Sequence, residues 1–243
     1  LAFGDNSALQ LGIGSQNVPL QVALPGSGFV KVAAGQNQGS LFVKADGSLW
    51  GAGSMLGGED FYRDLGPRQL DAGPVISYDI GGYNTGNYAL WTRPDGSLWG
   101  VGSGGKFGDG NNTSQWSPPV PEPKQVLPSG ISSVAAGTYH SLILKTDGSL
   151  WSTGRNEKGQ LGDGTTEDRD DWVKVVDANV TAVWAGSSHS LFLKSDGTLW
   201  GMGNNWGGLL GDGNVPDSLV PVQSNISNVV SFSAESSRSF VVK

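Results

Sequence analysis

The 243-residue sequence contains no cysteine. It therefore has no disulfide framework, no thiolate nucleophile and no zinc–thiolate site. Positive charge is also scarce, because 15 Lys and Arg stand against 22 Asp and Glu, which gives a formal net charge of −7. Without a basic surface to neutralise phosphates, we expect no nucleic-acid partner.

Long apolar runs are missing as well. No stretch approaches the roughly 18 residues that a transmembrane helix needs, so we expect no membrane insertion. The first residues show no signal-peptide pattern, and the chain starts with Leu1 rather than Met, which indicates a processed or excised chain. The acidic, Asn- and Gly-rich composition favours a secreted or surface protein of bacterial origin. We predict a monomer with an extracellular or cell-surface location.

What the sequence does contain is a repeat. Asp-Gly pairs followed by Ser or Thr, Leu and Trp occur at Asp46, Asp95, Asp147 and Asp196. A regular period of about 50 residues is typical of a repeat architecture. Each Asp-Gly pair lies between two apolar runs, as in "SLFVKADGSLWGAG", which predicts a β-hairpin with a tight turn. Every repeat thus supplies two strands.

Two more strands flank each hairpin. Upstream runs such as "FVKVAAG" end in small residues, which suit the innermost strand of a blade near a narrow axis. Downstream, a glycine-rich loop with "GDG" at Gly108, Gly162 and Gly211 leads into "KQVL", "VKVV" or "VPVQ". Four strands per repeat correspond to one blade of a β-propeller.

The two ends of the chain fit the same period. Lys243 falls where Lys145 and Lys194 fall, and Leu1 falls where Trp151 and Trp200 fall. We therefore predict one all-β domain over residues 1–243: a five-bladed β-propeller with four antiparallel strands per blade. Residues 229–243 and the N-terminal segment would share one blade and close the ring without unpaired edges. The alternative is a fragment of a six- or seven-bladed ring cut at the same turn.

The pattern "SLxLKTDGSLWxxGxNxxGQLGDGT" is strongest at 141–165 and 190–213 and weakest at 74–110. It resembles the regulator of chromosome condensation repeat family over essentially the whole chain. The resemblance implies a β-propeller used mainly as a binding platform. Family members act as exchange factors for small GTPases, chromatin binders, light sensors and secreted β-lactamase inhibitors. Well-known members have seven blades, whereas this chain has five repeats, and a charge of −7 disfavours chromatin binding.

Residues at fixed repeat positions predict structural roles. Four tryptophans occupy one position, which indicates packing between blades: Trp50, Trp99, Trp151 and Trp200. His140 and His189 are also equivalent, and without a third His or a Cys they form neither a metal site nor a triad. We therefore predict no metal and no cofactor.

Aromatic residues that break the repeat are candidates for binding, because the scaffold does not require them. Our candidates in loops, at strand starts or on an innermost strand are Phe61, Tyr62, Trp116, Tyr139, Trp172, Trp184 and Trp206. The acidic run 165–172 lacks the ligand spacing of a calcium loop and predicts a solvated loop. These features favour a non-enzymatic scaffold for a protein partner.

Two alternatives remain open at this point. Repeated aromatic and Asn-Gly loops would also suit a lectin with a glycan ligand. Asp79 and Glu235, on predicted innermost strands, would suit a glycoside hydrolase if their carboxylates lay about 5 to 9 Å apart. A third positioned acid and a sugar-sized cleft are not visible in the sequence, so no catalytic residue is assigned.

Overall fold

The computed structural model of the chain describes residues 2–4, 16–20, 28–34, 39–53, 67–83, 86–103, 106–108, 110, 119–214, 216–235 and 238–242. Within these ranges every regular element is a β-strand. The predicted all-β class is therefore confirmed. The same ranges contain no helix that is long and apolar enough to cross a membrane.

The first two strands, β1 (Ala2–Gly4) and β2 (Gln16–Leu20), form a two-stranded sheet. Four sheets of four antiparallel strands follow, and each is one blade. Blade 1 contains β3 (Phe29–Ala34), β4 (Gly39–Lys44), β5 (Leu49–Gly53) and β6 (Arg68–Asp71). Blade 2 contains β7 (Ser77–Tyr83), β8 (Gly86–Thr92), β9 (Leu98–Ser103) and β10 (Pro119–Leu127).

Blade 3 contains β11 (Ile131–Ala136), β12 (His140–Lys145), β13 (Leu150–Gly154) and β14 (Arg169–Val176). Blade 4 contains β15 (Val180–Ala185), β16 (His189–Lys194), β17 (Leu199–Gly203) and β18 (Ser218–Gln223). In every blade each strand pairs with the next one along the chain. The predicted four antiparallel strands per repeat are thus confirmed for four repeats.

The last two strands, β19 (Ser231–Glu235) and β20 (Arg238–Val242), form a second two-stranded sheet. The described residues therefore contain four four-stranded sheets rather than the five we predicted. The difference has one cause: β20 does not pair with β1, so the half-blades at the two ends remain separate sheets.

The Asp-Gly turns show why the motif recurs. In blade 3, Asp147 Oδ1 accepts hydrogen bonds from the Ser149 amide and hydroxyl at 2.9 and 2.6 Å. Ser149 Oγ in turn accepts one from Trp151 Nε1 at 2.9 Å, and Lys145 Nζ lies 3.7 Å from the Trp151 ring centroid. Gly148 has φ of 80°, which favours glycine. The side-chain hydrogen bond from Ser149 lowers the pKa of Asp147.

The same arrangement occurs in the other three blades. A tryptophan indole donates to the Ser or Thr of its turn at 2.8 to 3.1 Å, and a Lys or Arg cation lies 3.9 to 4.0 Å from the ring centroid. The pairs are Trp50 with Lys44, Trp99 with Arg93, and Trp200 with Lys194. Each tryptophan is half-buried and covered by its cation, so these aromatic rings are part of the turn.

Apolar layers between neighbouring blades form the core. Between blades 3 and 4, Leu142 and Leu150 pack against Val183, Phe192 and Met202. Burial of apolar surface is the main stabilising contribution in such layers. The corresponding layers join blade 1 to blade 2 and blade 2 to blade 3.

One face of blade 1 differs from its counterparts. Val32 is 67% exposed, whereas the equivalent Val134 and Val183, each covered by the preceding blade, are 5% and 8% exposed. Blade 1 thus carries an apolar face of the kind that packs between blades elsewhere in the chain.

Candidate functional site

The connections between strands one and two and between strands three and four lie at the same end of each blade, because the strands are antiparallel. In blade 3 these connections are residues 137–139 and 155–168, and in blade 4 they are 186–188 and 204–217. We call this end the loop face. The Asp-Gly turns lie at the opposite end.

A buried asparagine holds the long loop of blade 4. Asn205 Nδ2 donates to Asp212 Oδ1 at 2.9 Å and to the Asn214 carbonyl at 3.1 Å. Its Oδ1 accepts from the Leu210 amide at 2.9 Å, and its own amide donates to Asp217 Oδ1 at 2.9 Å. Four hydrogen bonds from one residue fix the path of the loop.

Asn156 holds the loop of blade 3 in the same way, with bonds to Asp163, Thr165, Leu161 and Asp168. The "GDG" triplets at Gly162 and Gly211 belong to these asparagine-centred loops. Each begins in a turn, in which its first glycine amide donates to the carbonyl three residues earlier.

Trp206 lies next to the asparagine in the blade 4 loop, where blade 3 has Glu157. It is 77% exposed, and its amide donates to Asn204 Oδ1 at 2.8 Å. A large aromatic side chain is therefore held on a hydrogen-bonded loop but remains open to solvent. Such preorganised, exposed aromatic residues are common anchors in protein interfaces.

A polar contact repeated between blades lies behind the loops. Ser190 Oγ of blade 4 donates to the Gln160 carbonyl of blade 3 at 2.8 Å, and His140 Nε2 lies 2.8 Å from the same Oγ. Because the hydroxyl has one hydrogen, His140 Nε2 is the donor to Ser190. The contact recurs between blade 4 and β20. Ser239 Oγ lies 3.3 Å from His189 Nε2 and donates to the Leu209 carbonyl at 2.9 Å.

The small residue at the end of each innermost strand makes room for this histidine. A Cβ on Gly137 would lie 2.7 Å from His140 Cε1 and 2.5 Å from the Gly186 carbonyl oxygen, so only glycine fits. Burial lowers the pKa of His140 to about 3 and that of His189 to about 4. Both histidines are therefore neutral near pH 7. Their Nδ1 atoms have no hydrogen-bond partner among the described residues.

Between blades 2 and 3 the contact has other residues. Tyr88 takes the histidine position, and its hydroxyl donates to the His140 carbonyl at 2.7 Å. Ser141 Oγ lies 2.9 Å from the Tyr88 hydroxyl and donates to the Lys106 carbonyl at 2.6 Å. The Lys106 carbonyl thus takes the place of the Gln160 carbonyl.

Lys106 is 4% exposed, although the sequence gave no reason to single it out. Its Nζ lies 5.3 Å from the Tyr88 ring centroid and 5.6 Å from that of Tyr139. Arg155 Cζ lies 5.0 Å from the Tyr139 centroid. Burial lowers the pKa of Lys106 to about 8. The one sequence feature that could have identified Lys106 is its place in the repeat, where blade 3 has Gln160 of "GQLG".

Asp79 joins the same two blades at the innermost strands. Its Oδ2 accepts from the Ala136 amide of blade 3 at 2.8 Å, and its Oδ1 accepts from the Ile80 amide at 2.9 Å. Burial raises the pKa of Asp79 to about 6, against these two hydrogen bonds. Both carboxylate oxygens are engaged with the backbone. Glu235 lies in β19 opposite Arg238, but its side chain is outside the described part of the structure.

The remaining aromatic candidates fall into two groups. Tyr139, Trp172 and Trp184 are half-buried. Trp172 lies on Gly108 of blade 2 and packs with the layer between blades 2 and 3, and Trp184 packs on the Leu191 layer. Trp116, Phe61 and Tyr62 lie outside the described residues. Of the described candidates, only Trp206 is largely open to solvent.

The acidic run 165–172 was predicted as a loop, but only its first half is one, since β14 begins at Arg169. Contacts with the preceding residues of the connection hold it. Arg169 pairs with Asp163 at 2.7 Å, and Asp168 Oδ1 accepts from the Asn156 amide at 2.7 Å. In the part of the chain that the structure describes, no three His, Cys, Asp or Glu residues form a group suited to a metal ion.

A buried ion pair between blades 1 and 2 escaped the sequence analysis. Asp71, 3% exposed, accepts from Trp91 Nε1 at 2.6 Å and from Arg93 Nε at 2.8 Å. Burial pushes its pKa up, but the bonds from Arg93, Gly73 and Trp91 outweigh this and lower it. Trp91 stands where blade 3 has Ile143, and nothing in the sequence pointed to Asp71 as its partner.

Repeated four-stranded blades, joined by apolar layers and serine contacts, define a protein of the β-propeller class. The sequence model described as "Regulator of chromosome condensation (RCC1) repeat" matches residues 131–160 and, in a second form, residues 147–193. Residues 131–193 thus match the RCC1 repeat, and the chain is similar to proteins built from this repeat. The matched region covers adjoining repeats of blades 3 and 4, so the count of five rests on the sequence period.

Curated relatives agree with this assignment. Protein RCC2 homolog of Xenopus laevis is 39% identical over 131 residues, which cover 51% of this chain and 25% of that protein. The ultraviolet-B receptor UVR8 of Arabidopsis thaliana is 32% identical over 155 residues, which cover 61% of this chain and 34% of that protein. The chain thus spans about a third or less of the length of these relatives.

Two solved structures share the fold. Human WBSCR16 superimposes with a TM-score of 0.79 at 22% identity, covering 99% of this chain and 66% of that one. Prp20p of Saccharomyces cerevisiae superimposes with a TM-score of 0.74 at 23% identity, covering 93% of this chain and 58% of that one. At these identities the likeness concerns the fold alone.

Proposed function

We propose that this chain is a non-enzymatic scaffold that binds a protein partner through its loop face. The observation that carries the proposal is Trp206, which is 77% exposed on a loop fixed by Asn205. Burying such a ring against a partner stabilises a complex, and the fixed loop lowers the entropic cost of ordering the site. The equivalent position in blade 3 is Glu157, so the blade fold itself does not require tryptophan there.

Relatives with the same fold support a binding role. A solved structure of Prp20p is described together with its binding properties to Gsp1p and histones, and another shows Kap60 bound to yeast RCC1. These partners belong to those proteins. For the present chain they support protein binding as the general role, without naming the partner.

The glycan-binding and hydrolase alternatives gain no such support. Both oxygens of Asp79 accept hydrogen bonds from backbone amides, which is a structural use of the carboxylate. We therefore propose no catalytic residue. A monomeric state and an extracellular or cell-surface location stay predictions.

The binding role is tested with Trp206→Ala. Partners are captured on the immobilised wild-type chain, identified, and then measured one by one for affinity. We expect a specific partner to bind the variant at least tenfold more weakly, because interface anchors contribute about 2 kcal/mol or more. Ile76→Ala, 55% exposed just before β7 at the opposite end of its blade, is the matched control and should bind normally. Equal affinity of wild type and Trp206→Ala would contradict the proposed surface.

We further propose that the end strands complete a fifth blade and close the ring. The β1–β2 pairing, Ala2 with Leu20 and Gly4 with Gln16, has the same register as the β17–β18 pairing of blade 4. The β19–β20 hairpin has the register of the first two strands of a blade. The exposed Val32 face of blade 1 is the surface that such a blade would cover.

The closure makes a specific prediction. By equivalence with Leu191 and Gly201 in blade 4, Phe240 should pair with Ala2. Since the chain has no cysteine, Ala2→Cys with Phe240→Cys gives a clean test, and paired strands bring Cα atoms within disulfide range. We expect an intramolecular disulfide under mild oxidation, with single-cysteine variants as controls. A disulfide between two chains, or none, would contradict closure within one chain.

A further inference from the structure

Three residues that depart from the repeat meet at the loop-face end of the contact between blades 2 and 3. Tyr88 stands where blades 3 and 4 have His140 and His189. Lys106 stands where blade 3 has Gln160, as shown by the serine bond to each carbonyl. Tyr139 precedes His140, whereas Ser188 precedes His189. Blades 3 and 4 form the same contact without these residues, so the fold alone does not account for them.

The Lys106 ammonium lies in an unusual environment. Only 4% of the residue is exposed, and two tyrosine rings lie 5.3 and 5.6 Å from Nζ. None of the ion pairs among the described residues involves Lys106. Aromatic faces attract a cation but carry no net negative charge. Among the described residues, the contacts of the Lys106 ammonium are therefore these two rings.

We propose that the Lys106 ammonium, which the Tyr139 ring covers, binds a monoanionic carboxylate group at the junction of blades 2 and 3. The half-buried Tyr139 ring lies over the ammonium, and we expect it to move aside for the ligand. A carboxylate would supply the charge-assisted hydrogen bond and the opposite charge that the buried amine lacks.

The charge of the site favours a carboxylate over a phosphate. Arg155, the other cation beside Tyr139, is paired with Glu157 at 2.5 Å. Asp79 acts on Tyr88 in the same contact but forms no ion pair with Lys106. Among the described residues beside Tyr139, the positive charge of Lys106 is therefore left without an acidic partner. A monoanion neutralises it, whereas a dianion would leave one negative charge in a poorly solvated place. The carboxylate group belongs either to a free organic acid or to an acidic side chain of a protein.

The test measures the Lys106 amine directly. The protein is labelled with 13C-lysine, and the Cε resonances are titrated from pH 6.5 to 11 with acetate or with chloride at equal ionic strength. Lys106→Gln assigns the resonance, and Gln160 shows that glutamine suits this loop. Because ligand and proton affinities are linked, saturating acetate should raise the pKa of Lys106 by at least one unit. Equivalently, acetate should bind the ammonium form at least tenfold more tightly than the neutral amine.

Two comparisons identify the source of the carboxylate. Acetate represents free acids, and doubly capped glutamate represents a protein side chain, with acetamide and doubly capped glutamine as neutral controls. Binding of either carboxylate that is lost in Lys106→Gln and retained in Lys158→Gln, an exposed lysine of the next loop, supports the site. A Lys106 resonance that titrates identically in acetate, capped glutamate and chloride would overturn it.

Discussion

Asp79 makes the stability of the contact between blades 2 and 3 depend on pH. Its pKa of about 6 in the folded protein lies above the ordinary value of 3.8. Between pH 3.8 and 6 the Asp79 carboxyl is therefore protonated in the folded chain and ionised in the unfolded chain. This difference in proton binding stabilises the folded chain fully below pH 3.8, and the stabilisation is lost as the pH rises through 6.

The magnitude follows from the shift. A pKa difference of about two units between the folded and unfolded chain corresponds to about 3 kcal/mol of unfolding free energy in total. Of this, about 1.4 kcal/mol is lost between pH 5.0 and 7.5. Asp79 is partly exposed, so we expect about 1 kcal/mol over this range. Asp79→Asn keeps an acceptor for the Ala136 amide but does not titrate. The free energy of unfolding of wild type, minus that of Asp79→Asn, should fall by this amount from pH 5.0 to 7.5.

The assay is urea unfolding followed by tryptophan fluorescence at several pH values. His140 and His189, whose lowered pKa values destabilise the fold as the pH falls below 6.5, are present in both proteins and cancel in the difference. Asp147→Asn is the matched control. The Ser149 hydrogen bond lowers the pKa of Asp147 below 3.8, so this carboxyl is ionised in both the folded and the unfolded chain above about pH 5, and the difference between wild type and Asp147→Asn should stay constant from pH 5.0 to 7.5. A pH-independent difference for Asp79→Asn would refute the reasoning.

Two further substitutions test the contacts between blades. Ser190→Ala leaves the Gln160 carbonyl and His140 Nε2 without their partner and should lower the free energy of unfolding by about 2 kcal/mol, whereas exposed Ser195→Ala should have little effect. Trp172→Ala should lower the free energy of unfolding by about 2 kcal/mol, because the half-buried ring packs on Gly108. Trp206→Ala should change the free energy of unfolding by less than about 0.5 kcal/mol, because that ring is exposed. Both are measured by urea unfolding at pH 7, and equal effects of the two tryptophan substitutions would contradict the assignment of Trp172 to the packing layer.

The fold was predictable from the sequence because each local signal is repeated. The Asp-Gly-Ser-Leu-Trp turn contains its own hydrogen bonds, so four copies at Asp46, Asp95, Asp147 and Asp196 predict four hairpins. Four strands per blade followed from the flanking apolar runs. The same period predicted that the end strands share one blade, but β20 and β1 are not paired, because their pairing depends on how all the blades are placed around the axis, which no local pattern specifies.

The candidate site was predictable only in part. Trp206 was found as an irregular aromatic residue, and its exposure agrees with that interpretation. Trp172 and Trp184 gave the same signal, although both pack between blades, since an irregular aromatic residue can fill space as well as bind. Lys106 was missed because its chemistry arises from the rings of Tyr88 and Tyr139, which lie 18 and 33 positions away in the sequence.

The measurement that tests the central claim most directly is site-specific photo-crosslinking from position 206. A photoreactive phenylalanine analogue replaces Trp206, and the same analogue replaces Ile76, exposed at the opposite end of its blade, as the control. If the loop face is a protein-binding surface, position 206 should crosslink one defined protein in stoichiometric amounts, and an excess of wild-type chain should compete with it. Crosslinks that are equally diffuse at both positions, or that excess wild-type chain does not reduce, would contradict the account.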